Sequence, residues 1–159
     1  MGRFICWEEV IAYEQFWPFG GDCPGRGGEN APNLTGMVKF YQRCDGTMVV
    51  AEVAGLPKTS ETGFFAFHIH EGRSCGGVDF ADSGSHFNPG RTLHPLHAGD
   101  LPPLLSSSGR AYMAVLTDRF CVEEVIGRTV IIHNDPDDFH TQPSGNAGKK
   151  IACGVIRRI

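Results

Sequence analysis

Phe64-Phe65-Ala66-Phe67-His68-Ile69-His70-Glu71-Gly72 is the stretch that decides how the rest of the chain is read. Along a strand, successive side chains alternate between faces, so Phe65, Phe67 and Ile69 point one way while Ala66, His68 and His70 point the other. The two imidazoles then share a face about 6.6 Å apart, at roughly 3.3 Å of rise per residue. Both can lean onto one cation held between them, with a stiff apolar face behind. A single His-x-His is more often an ordinary pair of packed or surface histidines, so the other histidines decide the matter. They are His86, His94, His97, His133 and His140, and none of the seven lies in the first 67 residues.

Outward from this stretch the pattern stays β. Residues 34–44 and 47–56 are β-rich runs separated by Asp45-Gly46, a pair that tolerates the positive φ of a tight hairpin. Further runs follow at 112–117, 129–134 and 151–159, and helical periodicity is absent after residue 30. Short strands separated by turns predict an antiparallel sandwich or barrel. Two connections, 72–110 and 134–150, are far longer than hairpin loops. Loops of that length in a compact domain carry function or are disordered. Disorder would not gather His86, His94, His97 and Asp100 in one of them and begin the other beside His133.

A chain of 159 residues suits one domain with a substantial core. Its net charge of −4 leaves no basic field to hold nucleic acid or an anionic membrane. Glu8 and Glu9 stand where a secretion signal would continue its apolar run, and no later stretch is long enough to span a bilayer. Cys6 occupies the position where a myristoylation signal needs Ser or Thr. The chain is therefore expected in the cytoplasm. Residues 18–33 are rich in Pro, Gly and Asn and read as an irregular arm. The expected division is an N-terminal extension over 1–32 and a β-sandwich domain over 33–159. Phe16, Trp17 and Phe19 mark an apolar segment expected to pack on the domain or on a partner.

His86, His94, His97 and Asp100 supply three imidazoles and a carboxylate within fifteen residues. That is enough to close a four-coordinate zinc site with no position left for substrate. His68, His70 and His133 supply three nitrogens, and His86, through its second ring nitrogen, makes a fourth, a set suited to copper(II). A ring serving both sites must give up its second proton, and two adjacent cations favour that loss.

The runs Phe67-His68-Ile69-His70-Glu71, His86-Phe87-Asn88-Pro89, His94, His97-Ala98-Gly99-Asp100-Leu101, Gly127-Arg128-Thr129-Val130-Ile131-Ile132-His133, Gly145-Asn146-Ala147-Gly148 and Ala152-Cys153-Gly154-Val155-Ile156 together resemble the copper,zinc superoxide dismutase family, in a bacterial-type form. The likeness covers about residues 33–158. It implies an all-β fold: a Greek-key β-sandwich, or flattened barrel, of eight antiparallel strands with two long functional loops. It implies copper bound by His68, His70, His86 and His133, and zinc bound by His86, His94, His97 and Asp100. Asp137 matches the family's outer carboxylate, which accepts hydrogen bonds from one ligand of each metal and orients both rings. Cys75, soon after Glu71 as in bacterial members, would pair with Cys153. A reducing cytoplasm argues against disulfides in general, so that pairing stands in tension with the expected location. The implied activity is dismutation of superoxide to dioxygen and hydrogen peroxide by one-electron cycling at copper, with His86 taking up and returning a proton. Members differ in oligomeric state, so a homodimer is among the expected forms.

One position departs from the pattern. Where the family generally carries an active-site Arg three residues before the second cysteine, this chain has Lys150, preceded by Lys149. Lys keeps the charge but loses the planar fork that holds an anion. The catalytic residues implied are His86 and Lys150, the latter guiding the anion at a reduced rate and with greater sensitivity to pH above neutrality. The same departure leaves room for a dismutase-like protein that binds or delivers metal with little turnover. A cupin-like oxygenase also uses His-x-His on a β fold, but its Glu ligand normally follows several residues later, whereas Glu71 is adjacent and on the opposite face. A metal-independent binding module is the weakest alternative. Cys6, Cys23, Cys44 and Cys121 match no zinc spacing and are expected as buried or free thiols. His140 matches no ligand position and is expected to be an exposed loop residue.

Overall fold

The computed structural model describes residues 11–16, 31–58 and 60–158. Its strands are β1 (Ile11–Phe16), β2 (Thr35–Arg43), β3 (Gly46–Ala54), β4 (Phe64–His70), β5 (Asp100–Leu105), β6 (Arg110–Thr117), β7 (Thr129–His133), β8 (Lys150–Val155) and the two-residue β9 (Arg157–Arg158). A 3₁₀ turn over Val78–Ser83 and the short helix α1 (Val122–Val125) are the helical pieces among the described residues. Two antiparallel sheets result, with orders β6-β3-β2-β1-β9 and β5-β4-β7-β8. The expected all-β sandwich is thus present: eight strands of five residues or more, with β9 added at an edge. Among the described residues the sheets stay separate and do not close into a barrel. The chain crosses from the first sheet to the second after β3, returns after β5 and crosses again after β6, as a Greek key requires. Among the described residues, no helix is long and apolar enough to cross a membrane.

Alternation builds the core. Thr47, Val49, Ala51 and Val53 of β3 and Val38 and Phe40 of β2 face inward. Phe65, Phe67 and Ile69 of β4 and Val130 and Ile132 of β7 meet them in one apolar cluster. Fully burying a side chain of this size contributes about 1.5–3 kcal/mol. In β4, however, six of the seven residues are buried, so its second face is not open to water. The two long loops roof it: the Gly84 carbonyl reaches His70, and Asp137 reaches His68.

Three local features differ from the sequence reading. The first hairpin turns one residue earlier than expected: Arg43 pairs with Gly46, leaving Cys44 and Asp45 as the turn. Gly46 is needed for another reason, since a Cβ there, at φ +140°, would stand 2.5 Å from the Thr117 carbonyl oxygen. The 72–110 connection also contains β5, hidden in the sequence by Pro102 and Pro103. Proline donates no ladder bond, but β5 is an edge strand, where that loss is tolerated. Finally, the strands read from the sequence begin at residue 34, whereas β1, in the N-terminal extension, already pairs antiparallel with β2 and β9. The expected packing of Trp17 and Phe19 lies outside the described residues, as do Cys6 and Cys23.

Candidate metal centre

Strands β4 and β7 run side by side, with His68 opposite Ile131 and His70 opposite Thr129. The outward face of this pair therefore carries His68, His70 and, two positions beyond Ile131, His133. His86 arrives from the first long loop through an isolated bridge to His70. Its neighbour Phe87 donates its N–H to the Ile69 carbonyl at 2.8 Å and buries its ring in the core, which fixes where the loop enters. One nitrogen from each of His68, His70, His86 and His133 lies within 4.8 Å of the others, and all four residues are buried. A second buried group at the same mutual spacing joins His86, His94, His97 and Asp100. His86 belongs to both.

The partners of each ring settle which nitrogen is left for a cation. His70 donates Nδ1–H to the Gly84 carbonyl at 2.9 Å, and His133 donates Nδ1–H to the Gly148 carbonyl at 3.3 Å. Their Nε2 atoms consequently face each other as two lone pairs only 3.3 Å apart. Neither can donate to the other, so the approach favours a cation between them. His68 and His94 donate their Nε2–H groups to the two oxygens of Asp137, at 2.7 and 2.8 Å. That carboxylate, which also accepts the Phe139 N–H at 2.7 Å, links one ring of each group. Gly145, at φ +68°, leaves it room, because a Cβ there would sit 2.1 Å from Asp137 Oδ1 and 2.7 Å from His94 Nε2.

Among the described residues, four buried ring nitrogens have no hydrogen-bond partner: His68 Nδ1, His86 Nε2, His94 Nδ1 and His97 Nδ1. Each unpaired buried group costs about 1–3 kcal/mol. The same atoms turn from cost to asset once they converge on a metal. Around Asp100, His86 Nδ1 lies 2.7 Å from Oδ1, while His94 Nδ1 and His97 Nδ1 lie 3.1 and 3.3 Å from Oδ2. Four imidazole nitrogens suit copper(II), and three imidazoles with a carboxylate suit zinc. The donors present therefore fit the two ions.

Burial pushes the pKa of His70 down to about 2 and that of His133 to about 3, and neighbouring imidazoles add to both shifts. In His68, burial outweighs the hydrogen bond to Asp137 and again lowers the pKa. For Asp137, burial pulls upward, but bonds from His68, the Phe139 amide and His94 prevail and hold it at about 2. The rings are thus kept neutral, the form that binds metal. The metal-free protein should lose stability as pH falls from 6.5 toward 3. In that window the unfolded chain protonates His70 and His133 while the folded chain does not, so each proton taken up favours unfolding. Stability is fully present above 6.5 and declines by about 1.4 kcal/mol per pH unit per ring. Thermal melts of the metal-free chain at pH 7, 6, 5 and 4 would show it; a Tm unchanged over that range would mean that both rings titrate normally.

Lys150, the first residue of β8, is half-buried, and burial lowers its pKa. Its ammonium meets Ser83 Oγ at 2.7 Å, the Gly84 carbonyl at 3.0 Å and the Phe80 carbonyl at 3.4 Å. Three acceptors match the three N–H donors of an ammonium. The residues singled out from sequence as ligands and as the bridging carboxylate thus come together in one buried cluster. Cys75 and Cys153 are bonded to each other, while Cys44 and Cys121 are free, exposed thiols. His140 stands apart, with a side chain 78% exposed. The carbonyls of Gly84 and Gly148, the hydroxyl of Ser83, and the side chains of Gln142 and Arg119 described below were not foreseen. Main-chain acceptors carry no sequence signature beyond glycines at positive φ.

Comparison with known proteins matches residues 34–156 to the family described as Copper/zinc superoxide dismutase (SODC). Superoxide dismutase [Cu-Zn] 1 of Aquifex aeolicus is 34% identical over 137 residues, covering 77% of this chain and 79% of the relative. Superoxide dismutase [Cu-Zn] 3 of Arabidopsis thaliana is 33% identical over 142 residues, covering 78% of this chain and 83% of the relative. Superoxide dismutase [Cu-Zn] of Deinococcus radiodurans is 32% identical over 147 residues, covering 79% of each.

Proposed function

The chain belongs to the copper/zinc superoxide dismutase family, an oxidoreductase family, and from that membership we propose that it converts superoxide to dioxygen and hydrogen peroxide. One observation carries the reading: two buried four-ligand groups share the ring of His86. We assign His68, His70, His86 and His133 to copper, and His86, His94, His97 and Asp100 to zinc. When bound, copper supplies one-electron redox chemistry and zinc a fixed positive charge that tunes how readily the shared ring takes up a proton.

The protein's own contributions follow from its geometry. Asp137 and the carbonyls of Gly84 and Gly148 fix the tautomers of His68, His94, His70 and His133, so the ligand atoms are aimed before any metal arrives. His86 Nε2, buried and unpartnered, is the atom that takes up a proton in one half of the cycle and returns it in the other. One superoxide loses an electron to become dioxygen; a second gains it, with two protons, to become hydrogen peroxide. Lys150 supplies positive charge beside the copper-side ligands, sharing the Gly84 carbonyl with His70. Because its three donors are all engaged, it attracts the anion without offering it a free hydrogen bond.

That saturation also favours a second reading, a metal-binding or metal-delivery protein with little turnover. Pulse radiolysis of protein loaded with measured copper and zinc separates the two. Fast superoxide decay supports dismutation, whereas stoichiometric metal with decay no faster than in buffer leaves only metal binding. Lys150→Arg is expected to raise the rate severalfold at low salt, since a guanidinium has five donors and keeps some for the anion. It should also flatten the decline in rate above neutral pH, because Arg does not lose its charge there. An unchanged rate in this variant would count against Lys150 as the anion guide.

A further inference from the structure

In the zinc-side group, Asp100 begins a strand, but His94 and His97 lie in irregular backbone. Ligands without a ladder beneath them must be held by something else. Two side chains from outside the loop do this. Gln142 pairs with both main-chain groups of His94: its Oε1 accepts the N–H at 3.0 Å, and its Nε2 donates to the carbonyl at 2.7 Å. Arg119 holds the rest. A single guanidinium nitrogen, Nη1, meets the carbonyls of Pro95 at 3.0 Å, His97 at 3.3 Å and Asp100 at 3.1 Å.

Arg119 is well anchored for this task. It follows β6, and its own N–H donates to Thr117 Oγ1 at 3.3 Å. The next residue, Phe120, is buried with its ring edge-on to Phe40 at 6.3 Å. The Phe120 carbonyl accepts the Thr47 hydroxyl at 2.9 Å. A fixed point on the five-stranded sheet therefore grips the main chain of two ligand residues that belong to the other half of the sandwich.

From this geometry we propose that Arg119 is a positioning residue for the zinc-side group, holding the backbone of His97 and Asp100 so that their side chains converge with those of His86 and His94. The proposal rests on reading those four residues as the zinc ligands. Hydrogen bonds from a charged donor are the strong ones, and loss of a partner beyond the ligands typically weakens metal binding by about 10–100-fold. The charge alone acts in the opposite direction, because a guanidinium repels a divalent cation. If charge dominated, removing it would tighten zinc binding. The sign of the effect separates positioning from electrostatics.

The test strips the full-length chain of metal and titrates zinc against a chromophoric chelator, then titrates copper into the zinc-saturated protein. Arg119→Gln is expected to bind zinc at least about tenfold more weakly, with copper affinity nearly unchanged. Arg119→Lys, whose ammonium keeps three donors, should recover most of the loss. Zinc binding by folded Arg119→Gln that is as tight as wild type, or tighter, overturns the proposal. An equal loss of both metals also overturns it, since that marks general loosening of the fold. A wild-type chain that binds no zinc fails at the earlier step and refutes the assignment of the four ligands themselves.

Discussion

His86→Ala is expected to lower the superoxide dismutation rate of the copper,zinc-loaded protein by more than about a hundredfold, beyond the loss that follows removal of a partner outside the ligand set. The substitution takes a nitrogen from both groups at once. The copper side is left with His68, His70 and His133, and the zinc side with His94, His97 and Asp100. In the metal-free chain Asp100 also loses the ring nitrogen that lies 2.7 Å from its Oδ1. No ring is placed to substitute, since the His140 side chain is exposed and belongs to neither group. His140→Ala is accordingly expected to leave the rate unchanged and serves as the control. Pulse radiolysis on samples with matched metal content reads the difference; a His86→Ala rate within about threefold of wild type would refute the shared-ring proposal.

Loss of the Cys75–Cys153 bond should have the largest effect on stability. The bond closes 78 residues, and the chain-entropy account assigns such a loop about 4 to 5 kcal/mol. For a chain of this length that corresponds to a fall in Tm of about 10–15 °C. The effect should extend beyond stability, because the loop fixed to β8 by Cys75 carries Ser83 and Gly84, which seat Lys150 and His70. Cys153→Ser, or reduction of the bond, is therefore expected to weaken copper retention as well. Calorimetry of oxidised and reduced protein, with copper release followed in parallel, checks both effects. A Tm drop of only a degree or two would show that the loop is held by its other contacts.

How far the sequence alone could be read depends on which physical signal each residue carries. The alternation of Phe65, Phe67 and Ile69 against His68 and His70 survives intact in β4, because one face must pack on the core whatever covers the other. The spacing of His86, His94, His97 and Asp100 was equally legible, since few other arrangements place three imidazoles and a carboxylate so close together. What escaped notice lacks a side-chain signature. Strand β5 hides behind Pro102 and Pro103, which read as loop unless the strand is known to lie at an edge. The turn at Cys44–Asp45 was misplaced because Gly46 looks like a turn glycine, yet it is required by the close approach of Thr117. The carbonyls that orient His70 and His133 are main-chain atoms, available at any residue and specified only by the path of the loop. Arg119 carries no signature in the sequence, and its role emerges only when three carbonyls from a distant loop close around it.

The two adjacent prolines of β5 have a consequence for how molecules of this protein meet one another. Neither proline carries an N–H, so the margin of this edge strand is poorer in donors than an ordinary strand's. An approaching strand would find that margin interrupted and unable to template a continuous ladder. Proline on an edge strand is one way a sheet discourages strand-to-strand pairing, and here it falls on the sheet that bears the metal ligands.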